Sequence, residues 1–164
     1  MKIEDLICKC DKDVDIDEYF DFREKIVEEM PHPEWLRNRT KEEIVSLLDN
    51  NLKIWVYYLN DEIVCSMILV PADTEIIEKY GLTNKDTVNY GSMIVSPKYR
   101  GKGLQYQMLK VLDKCGKEQG YTLAIGTVHP ENIYSKNNII KDKFVYIENR
   151  ELKSGLREIY LKLL

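Results

Sequence analysis

The residues best suited to chemistry stand in one stretch, Met93 to Leu109, which reads M-I-V-S-P-K-Y-R-G-K-G-L-Q-Y-Q-M-L. Gly101 and Gly103 lack a Cβ, so the turn they occupy can take backbone angles closed to other residues, and a ligand can press against its peptide groups. From Leu104 onward, Leu104, Met108, Leu109, Leu112 and Cys115 recur at helical spacing, with Gln107, Lys110, Asp113, Lys114 and Lys117 on the other side. A helix that begins at the glycines points its first free N–H groups back into the turn, where the positive end of its dipole favours an anion. Lys98, Arg100 and Lys102 add mobile positive charge beside them. The arrangement suits a pyrophosphate, although a plain basic turn between a buried strand and a surface helix uses the same letters. It is not a P-loop, which needs Lys and Ser or Thr directly after its second glycine. Nor is it a dinucleotide fingerprint, because Tyr106 stands where that pattern needs its third glycine.

The stretch resembles motif A of the GCN5-related N-acetyltransferase (GNAT) superfamily, whose pattern is Gln or Arg, two residues, Gly, one residue, then Gly or Ala. Read from Lys98, the chain has both glycines but Lys in first place; read from Arg100, it has Arg and Gly103 but Gln105 in last place. The resemblance implies that backbone amides here hold the pyrophosphate of acetyl-CoA. The cofactor-binding residues it implies in this stretch are Met93, Ile94, Val95, Lys98, Tyr99, Arg100, Gly101, Lys102, Gly103, Leu104 and Gln105. A second segment, His129 to Phe144, is similar to the family's H-P-x-N, N-x-x-S and K-x-G-F run. Asn132, Ser135, Lys141 and Phe144 match it, and Lys143 replaces the glycine. Asn132 and Ser135 are thereby implied to face the pantetheine and phosphate arm. As bare residues they also suit an N-cap and a first helical turn.

Acetyl transfer to an amine requires a held thioester, a deprotonated amine, a stabilised oxyanion and a protonated thiolate. An alkyl ammonium with a pKa of about 10 is mostly charged at neutral pH, so a base or a water path must take its proton. In the family, a β-bulge before the glycine turn splays its strand from the next parallel one, and a bulge N–H polarises the thioester carbonyl. The equivalents here are Met93 to Val95, a role that needs no particular side chain. The family's acid is often a tyrosine seven residues after the Asn, and counting from Asn132 gives Ile139, which has no proton to give. Tyr134, Tyr90 and Asn89 are the candidate catalytic substitutes, with Glu131 and His129 further out; water alone is the other route.

The elements that must position these residues are legible along the chain. Ile3 to Cys10 reads as an edge strand carrying Cys8 and Cys10 on one face. Asp17 precedes a helix in which Phe22, Ile26 and Met30 fall four apart, ended by Pro31 and Pro33. Thr40 and Glu43 form a capping box that opens a second helix. Lys53 to Leu59 and Glu62 to Val70 predict a hairpin across Asn60 and Asp61. A short helix capped by Asp73 and closed by Gly81 follows. Thr87 to Val95 feeds the glycine turn, and the uncharged run Tyr121 to Val128 predicts a strand covered on both faces. Strand, helix and strand predict a right-handed crossover with the two strands parallel, and Gly126 is a point of close approach. Phe144 to Asn149 and Leu156 to Leu164 predict a closing hairpin across Lys153 to Gly155, with Arg157, Ile159, Leu161 and Leu163 on one face of a half-buried strand. The resemblance implies a mixed α/β (α+β) fold: a mostly antiparallel central sheet with one parallel pair splayed at the cofactor site and helices on both faces.

With 164 residues, 44% hydrophobic and 32% charged, the chain reads as one domain over residues 1–164. No membrane span or signal region is expected, and four cysteines without C-x-x-C spacing read as reduced thiols, so the expected location is the cytoplasm. A net charge of −4 argues against nucleic acid as a partner. The expected function is an acetyl-CoA-dependent N-acetyltransferase acting on a primary amine of a small molecule or peptide, by direct attack in a ternary complex and without a metal. The alternative is a domain that keeps the acyl-CoA cleft but senses or regulates. The family's acceptor wall corresponds to the first two helices, where Glu24, Glu28 and Glu29 are placed to attract a cationic amine. Either a monomer or a homodimer is compatible with these features.

Overall fold

The computed structural model describes residues 1–50 and 53–164. Its strands are β1 (Ile7–Cys10), β2 (Lys53–Leu59), β3 (Glu62–Pro71), β4 (Thr87–Val95), β5 (Leu123–Val128), β6 (Val145–Leu152) and β7 (Gly155–Leu163). Its α-helices are α1 (Ile16–Glu29), α2 (Lys41–Asp49), α3 (Thr74–Tyr80), α4 (Leu104–Glu118) and α5 (Ile133–Lys141). The strands form one sheet in the order β1-β2-β3-β4-β5-β7-β6. Only β4 and β5 pair in parallel; the other neighbours are antiparallel. The long helix α4 is the crossover between that parallel pair, as strand, helix and strand demand. No helix among the described residues is long and apolar enough to cross a membrane.

Local chemistry explains most boundaries. Asn60 and Asp61 both take positive φ, +50° and +63°, the geometry of a two-residue turn whose twist suits a hairpin. Thr40 and Glu43 close the reciprocal capping box at α2. Other expectations are corrected. Residues Ile3–Asp5 form a 3-10 turn, so the edge strand is confined to Ile7–Cys10. The cap of α1 is Asp15, whose carboxylate accepts from the Asp17 and Glu18 N–H groups at 3.0 and 3.1 Å. Asp73 makes no side-chain cap at α3, because Arg37 occupies its carboxylate from 2.9 and 3.0 Å. The final hairpin extends through Leu152 and Gly155, and β7 is buried on both faces from Arg157 to Tyr160.

Helices cover both faces of the sheet. On one face Met108, Leu109 and Leu112 of α4 pack with Met67, Leu69, Val88, Tyr90, Ala124 and Tyr160. On the other, Tyr19 and Ile44 pack on Ile54, Val56, Ile68 and Val70, while Ile76 of α3 covers Ile125 and Ile159. Burying these apolar side chains supplies the main stabilisation, about 1.5–3 kcal/mol for each large one.

Candidate active site

The site begins where β4 loses both of its regular pairings. Against β3, Ser66 faces Ile94 and Ile68 faces Gly91, so β4 holds one extra residue between those pairs. This is a β-bulge, which bends a strand and frees its peptide groups. Gly91 is required there, since a Cβ would meet the Ile68 side chain at 2.8 Å. Against β5, the parallel ladder stops at Tyr90 opposite Gly126. The two parallel strands therefore end their pairing where the bulge starts, and Ser92, Met93, Ile94 and Val95 line a cavity of about 810 Å³.

The glycine turn closes one end of that cavity. Gly101 and Gly103 take φ of +74° and +72°, where a side chain is strained, and a Cβ at either would meet nothing within 4 Å. Gly103 is the N-cap of α4 and offers no side chain, leaving the first N–H groups of the helix without a capping partner. Arg100, Gly101, Gly103, Leu104 and Gln105 all line the cavity. Lys98 lies elsewhere: its Nζ sits 2.6 Å from Glu62, lowering the Glu62 pKa, and it borders a separate, shallower groove. Lys102 stacks above the Tyr99 ring at 5.9 Å.

Helix α5 forms the adjoining wall. The Asn132 side chain caps α5, its Oδ1 accepting from the Ser135 N–H at 3.1 Å. The Ser135 hydroxyl accepts from Gln105 Nε2 at 2.9 Å, and Gln105 Oε1 accepts from Asn138 Nδ2 at 3.0 Å. Ile139 faces the core and fills the space above Gly126, where a Cβ would come within 3.1 Å of its Cδ1.

The candidate catalytic side chains separate. The Tyr90 side chain packs in the core under α4, and its hydroxyl donates to Asp113 at 3.0 Å. Burial, reinforced by the Asp113 carboxylate, drives its pKa well above the ordinary phenol value. Asn89, the neighbouring residue on β4, is buried and lines the cavity, and its Oδ1 has no hydrogen-bond partner among the described residues. Tyr134 is exposed on the first turn of α5 and also lines the cavity. His129 accepts from the Glu131 N–H at 3.3 Å and stacks with Trp35 at 6.4 Å, while His32 stacks on Trp35 at 4.6 Å.

The far half of the cavity is walled by Ile26 and Met30 together with Trp35, Leu36, Arg37 and Arg39 from the segment before α2. Arg157 of β7 completes it. Glu24, Glu28 and Glu29 are exposed on α1 and none lines this cavity, whereas Glu29 borders the separate groove beside Lys98. Among the described lining residues there is no carboxylate, but there are four arginines: Arg37, Arg39, Arg100 and Arg157. Sequence reasoning missed Trp35, Arg37 and Arg39 altogether. For Arg157 a signal existed, since it interrupts an apolar face of its strand.

Several solved structures share this architecture at low identity. A GNAT-family acetyltransferase from Streptococcus pneumoniae matches with a TM-score of 0.74 at 15% identity, covering 97% of this chain and 99% of the other. A ribosomal-protein-alanine N-acetyltransferase from Brucella melitensis matches with a TM-score of 0.75 at 15% identity over 97% and 100%. A putative acetyltransferase from Salmonella typhimurium, solved with its cofactor acetyl-CoA, matches at 0.72 and 14% over 97% and 94%. At such identities the likeness establishes the fold alone. No curated protein matches the chain. A sequence profile of the acetyltransferase (GNAT) family, however, matches residues 16–138, from the first helix through the glycine turn into α5. With most of its length matched by that profile and its strands arranged in the same fold, the chain belongs to the GNAT acetyltransferase family.

Proposed function

We propose that this protein transfers an acetyl group from acetyl-CoA to a primary amine by direct attack within a ternary complex. The observation that carries the reading is the coincidence of three features in one cavity: the β4 bulge, the end of the β4–β5 ladder and the positive-φ glycine turn. The residues fit an acyl-CoA. Gly101 and Gly103 leave their peptide groups open on the side where a Cβ would lie, and α4 has no capping side chain to compete for its first N–H groups.

When bound, acetyl-CoA supplies an acyl group activated as a thioester. In this proposal the amides from Gly101 to Gln105 hold the pyrophosphate, with Arg100 beside them, and Ser135 borders the arm. Bulge N–H groups at Met93 to Val95 stabilise the negative charge that develops on the carbonyl oxygen, a contribution of about 3–4 kcal/mol for a well-aimed donor. Asn89 Oδ1 accepts a hydrogen bond from the attacking amine and orients it. The ammonium gives one proton to water before attack; as the N–C bond forms and the C–S bond breaks, a second N–H proton passes to solvent, while Tyr134 at the rim protonates the leaving thiolate and regains its own proton from solvent. Tyr90 has no part in this chemistry, because its hydroxyl is committed to Asp113.

Calorimetry with acetyl-CoA, on the wild type and on Gly103→Pro checked for folding by circular dichroism, tests the binding half. Proline fixes φ near −65°, against the +72° at Gly103, and removes an amide. Thiol release against a panel of amines tests the transfer half. Absence of acetyl-CoA binding by the wild type sinks the proposal. Binding without turnover on any amine favours an acyl-CoA sensor, a reading supported by Ile139, a core residue where the family resemblance implies an acid.

A further inference from the structure

We propose that the amine acceptor carries a carboxylate close to its amino group and an apolar side chain, and that Arg39 binds the carboxylate. The inference rests on the transfer reading above and names its substrate class.

The arginines around the far half of the cavity differ in how they are satisfied. Arg23, buried beneath them, donates to Tyr19 Oη at 3.2 Å and to the Arg37 carbonyl at 2.9 Å. Arg37 holds Asp73 through both carboxylate oxygens. Arg157 is buried, yet it donates only to backbone carbonyls, those of Leu156 at 2.8 Å and Glu34 at 3.0 Å. Arg39 has no hydrogen bond or ion pair among the described residues, and its Nε is buried without a partner. A guanidinium with only a structural role holds a carbonyl or a carboxylate, as Arg23, Arg37 and Arg157 do; Arg39 holds neither among the described residues.

Arg39 is therefore the unanchored cation of a partly desolvated chamber with no carboxylate in its described lining. Burial and the neighbouring Arg37 charge push the Arg39 pKa down to about 10, and Arg157 is lowered by the same causes. Arg39 is part-buried and only partly offset by the Asp73 and Glu43 charges, so an incoming anion relieves the remaining cost. Trp35 Nε1, Asn89 Oδ1 and Ser92 Oγ also lack partners and line the same cavity, so its unsatisfied polar atoms are concentrated where an acceptor would sit. Arginine forks match the planar carboxylate bidentately. A singly charged group also loses less hydration than a phosphate dianion on entering a chamber walled by Ile26, Met30, Trp35 and Leu36. Asn89 and the bulge are then left for the amine end. A free α-amino acid with an apolar side chain has this chemistry.

The test uses Trp35 as a reporter in a Trp55→Phe background, since Trp35 and Trp55 are the chain's two tryptophans. Matched pairs are titrated by fluorescence: leucine against isoamylamine, methionine against 3-methylthiopropylamine, and phenylalanine against phenethylamine, with and without CoA. Each amino acid is expected to bind about tenfold or more tightly than its decarboxylated partner, the scale of a charge-assisted hydrogen bond. Arg39→Gln should abolish the preference while acetyl-CoA binding, measured by calorimetry, is retained; Arg39→Lys should restore part of it. Equal or tighter binding of the bare amines overturns the inference, as does an unchanged preference in a folded Arg39→Gln, or no binding of either pair member. Tighter binding of phosphoethanolamine than of any amino acid also overturns it, assigning the anion to a phosphate. Loss of acetyl-CoA binding in the wild type would instead sink the transfer reading, which the calorimetry reads separately.

Discussion

Gln105 donates to the Ser135 hydroxyl at 2.9 Å and accepts from Asn138 at 3.0 Å, so one side chain on the first turn of α4 fastens the first two turns of α5. When the motif is read from Arg100, this is the position where the resemblance calls for a small residue. What a glycine or alanine there would leave open, this chain fills with a polar clamp between the two helices that frame the cavity.

Removal of that clamp in Gln105→Ala deletes two part-buried hydrogen bonds, each with a net worth of about 1 kcal/mol. The expected result is a fall in thermal midpoint of roughly 4–8 °C for a chain of this length. The apparent affinity for acetyl-CoA should weaken by about 3- to 10-fold as Ser135 loses its fixed rotamer. Calorimetric titration combined with thermal denaturation checks both, and unchanged binding would show that the α4–α5 contact is purely structural.

Tyr90→Phe separates catalysis from stability. The variant should keep kcat within about twofold, because a phenol buried against Asp113 contributes nothing to the reacting atoms. Its effect belongs to alkaline stability. The folded pKa is raised by burial first and by Asp113 second. The native state thus keeps the Tyr90 proton above pH 10, where the unfolded chain releases it. That contribution is complete below pH 10 and is lost as pH climbs towards the raised folded value, at up to about 1.4 kcal/mol per pH unit. Urea titrations between pH 9 and 11.5 should show a shallower decline in Tyr90→Phe than in the wild type. By contrast, Tyr134→Phe should lower kcat about 100-fold or more, the range for a lost general acid.

The parts of the site that are legible in the sequence are those written in backbone requirements. Gly101 and Gly103 mark positive φ, Asn60-Asp61 marks a hairpin turn, and the apolar period from Leu104 to Leu112 marks the buried face of α4. What escapes such a reading is assembled by tertiary contact. Arg37 and Arg39 come from irregular chain before α2, Arg157 from the penultimate strand position in the sheet order, and nothing local says that they converge. The face of α1 was obscured for the same reason: its buried residues are Tyr19, Arg23 and Ile26, and an arginine at a buried position breaks the apolar stripe that periodicity seeks. Asp73 looks like an N-cap by type and position, but Arg37 Nη1, donating to both carboxylate oxygens, outcompetes the helix N–H groups for its carboxylate.

Beneath the site, Lys162 joins Asp113 at 2.6 Å and Asp142 at 2.8 Å, and Lys110 also pairs with Asp142. Asp142 is fully buried, and Asp113 holds the Tyr90 hydroxyl, so this ion cluster ties α4, the end of α5 and β7 to the central strand. Lys162→Met leaves two carboxylates facing each other with only the half-exposed Lys110 between them. A loss of about 3 kcal/mol is expected, the scale for removing one partner of a buried pair. The urea midpoint should fall sharply, and a fall no larger than for an exposed Lys–Glu pair would place the cluster in solvent-screened surroundings.

Arg39→Met should move stability and ligand preference in opposite directions. The guanidinium has no hydrogen-bond partner among the described residues to offset its burial, and the Arg37 charge beside it adds repulsion. Methionine keeps the volume of the apolar stem and removes the charge, so the unliganded protein should gain roughly 1 kcal/mol, or about 2–4 °C in midpoint. The pH signature follows from the sign of the shift. A cation whose folded pKa is depressed to about 10 destabilises the native state below that pH, and the penalty fades as pH rises through 10 towards the unfolded value. The gain from Arg39→Met should therefore be full at pH 7–9 and shrink above pH 10. In the presence of an amino acid at saturating concentration the order should reverse, because ligand binding stabilises only the protein that holds the carboxylate. Thermal scans of both proteins, with and without leucine across this pH range, check the trade, and a destabilised Arg39→Met at neutral pH would show that Arg39 is held by contacts that repay its burial.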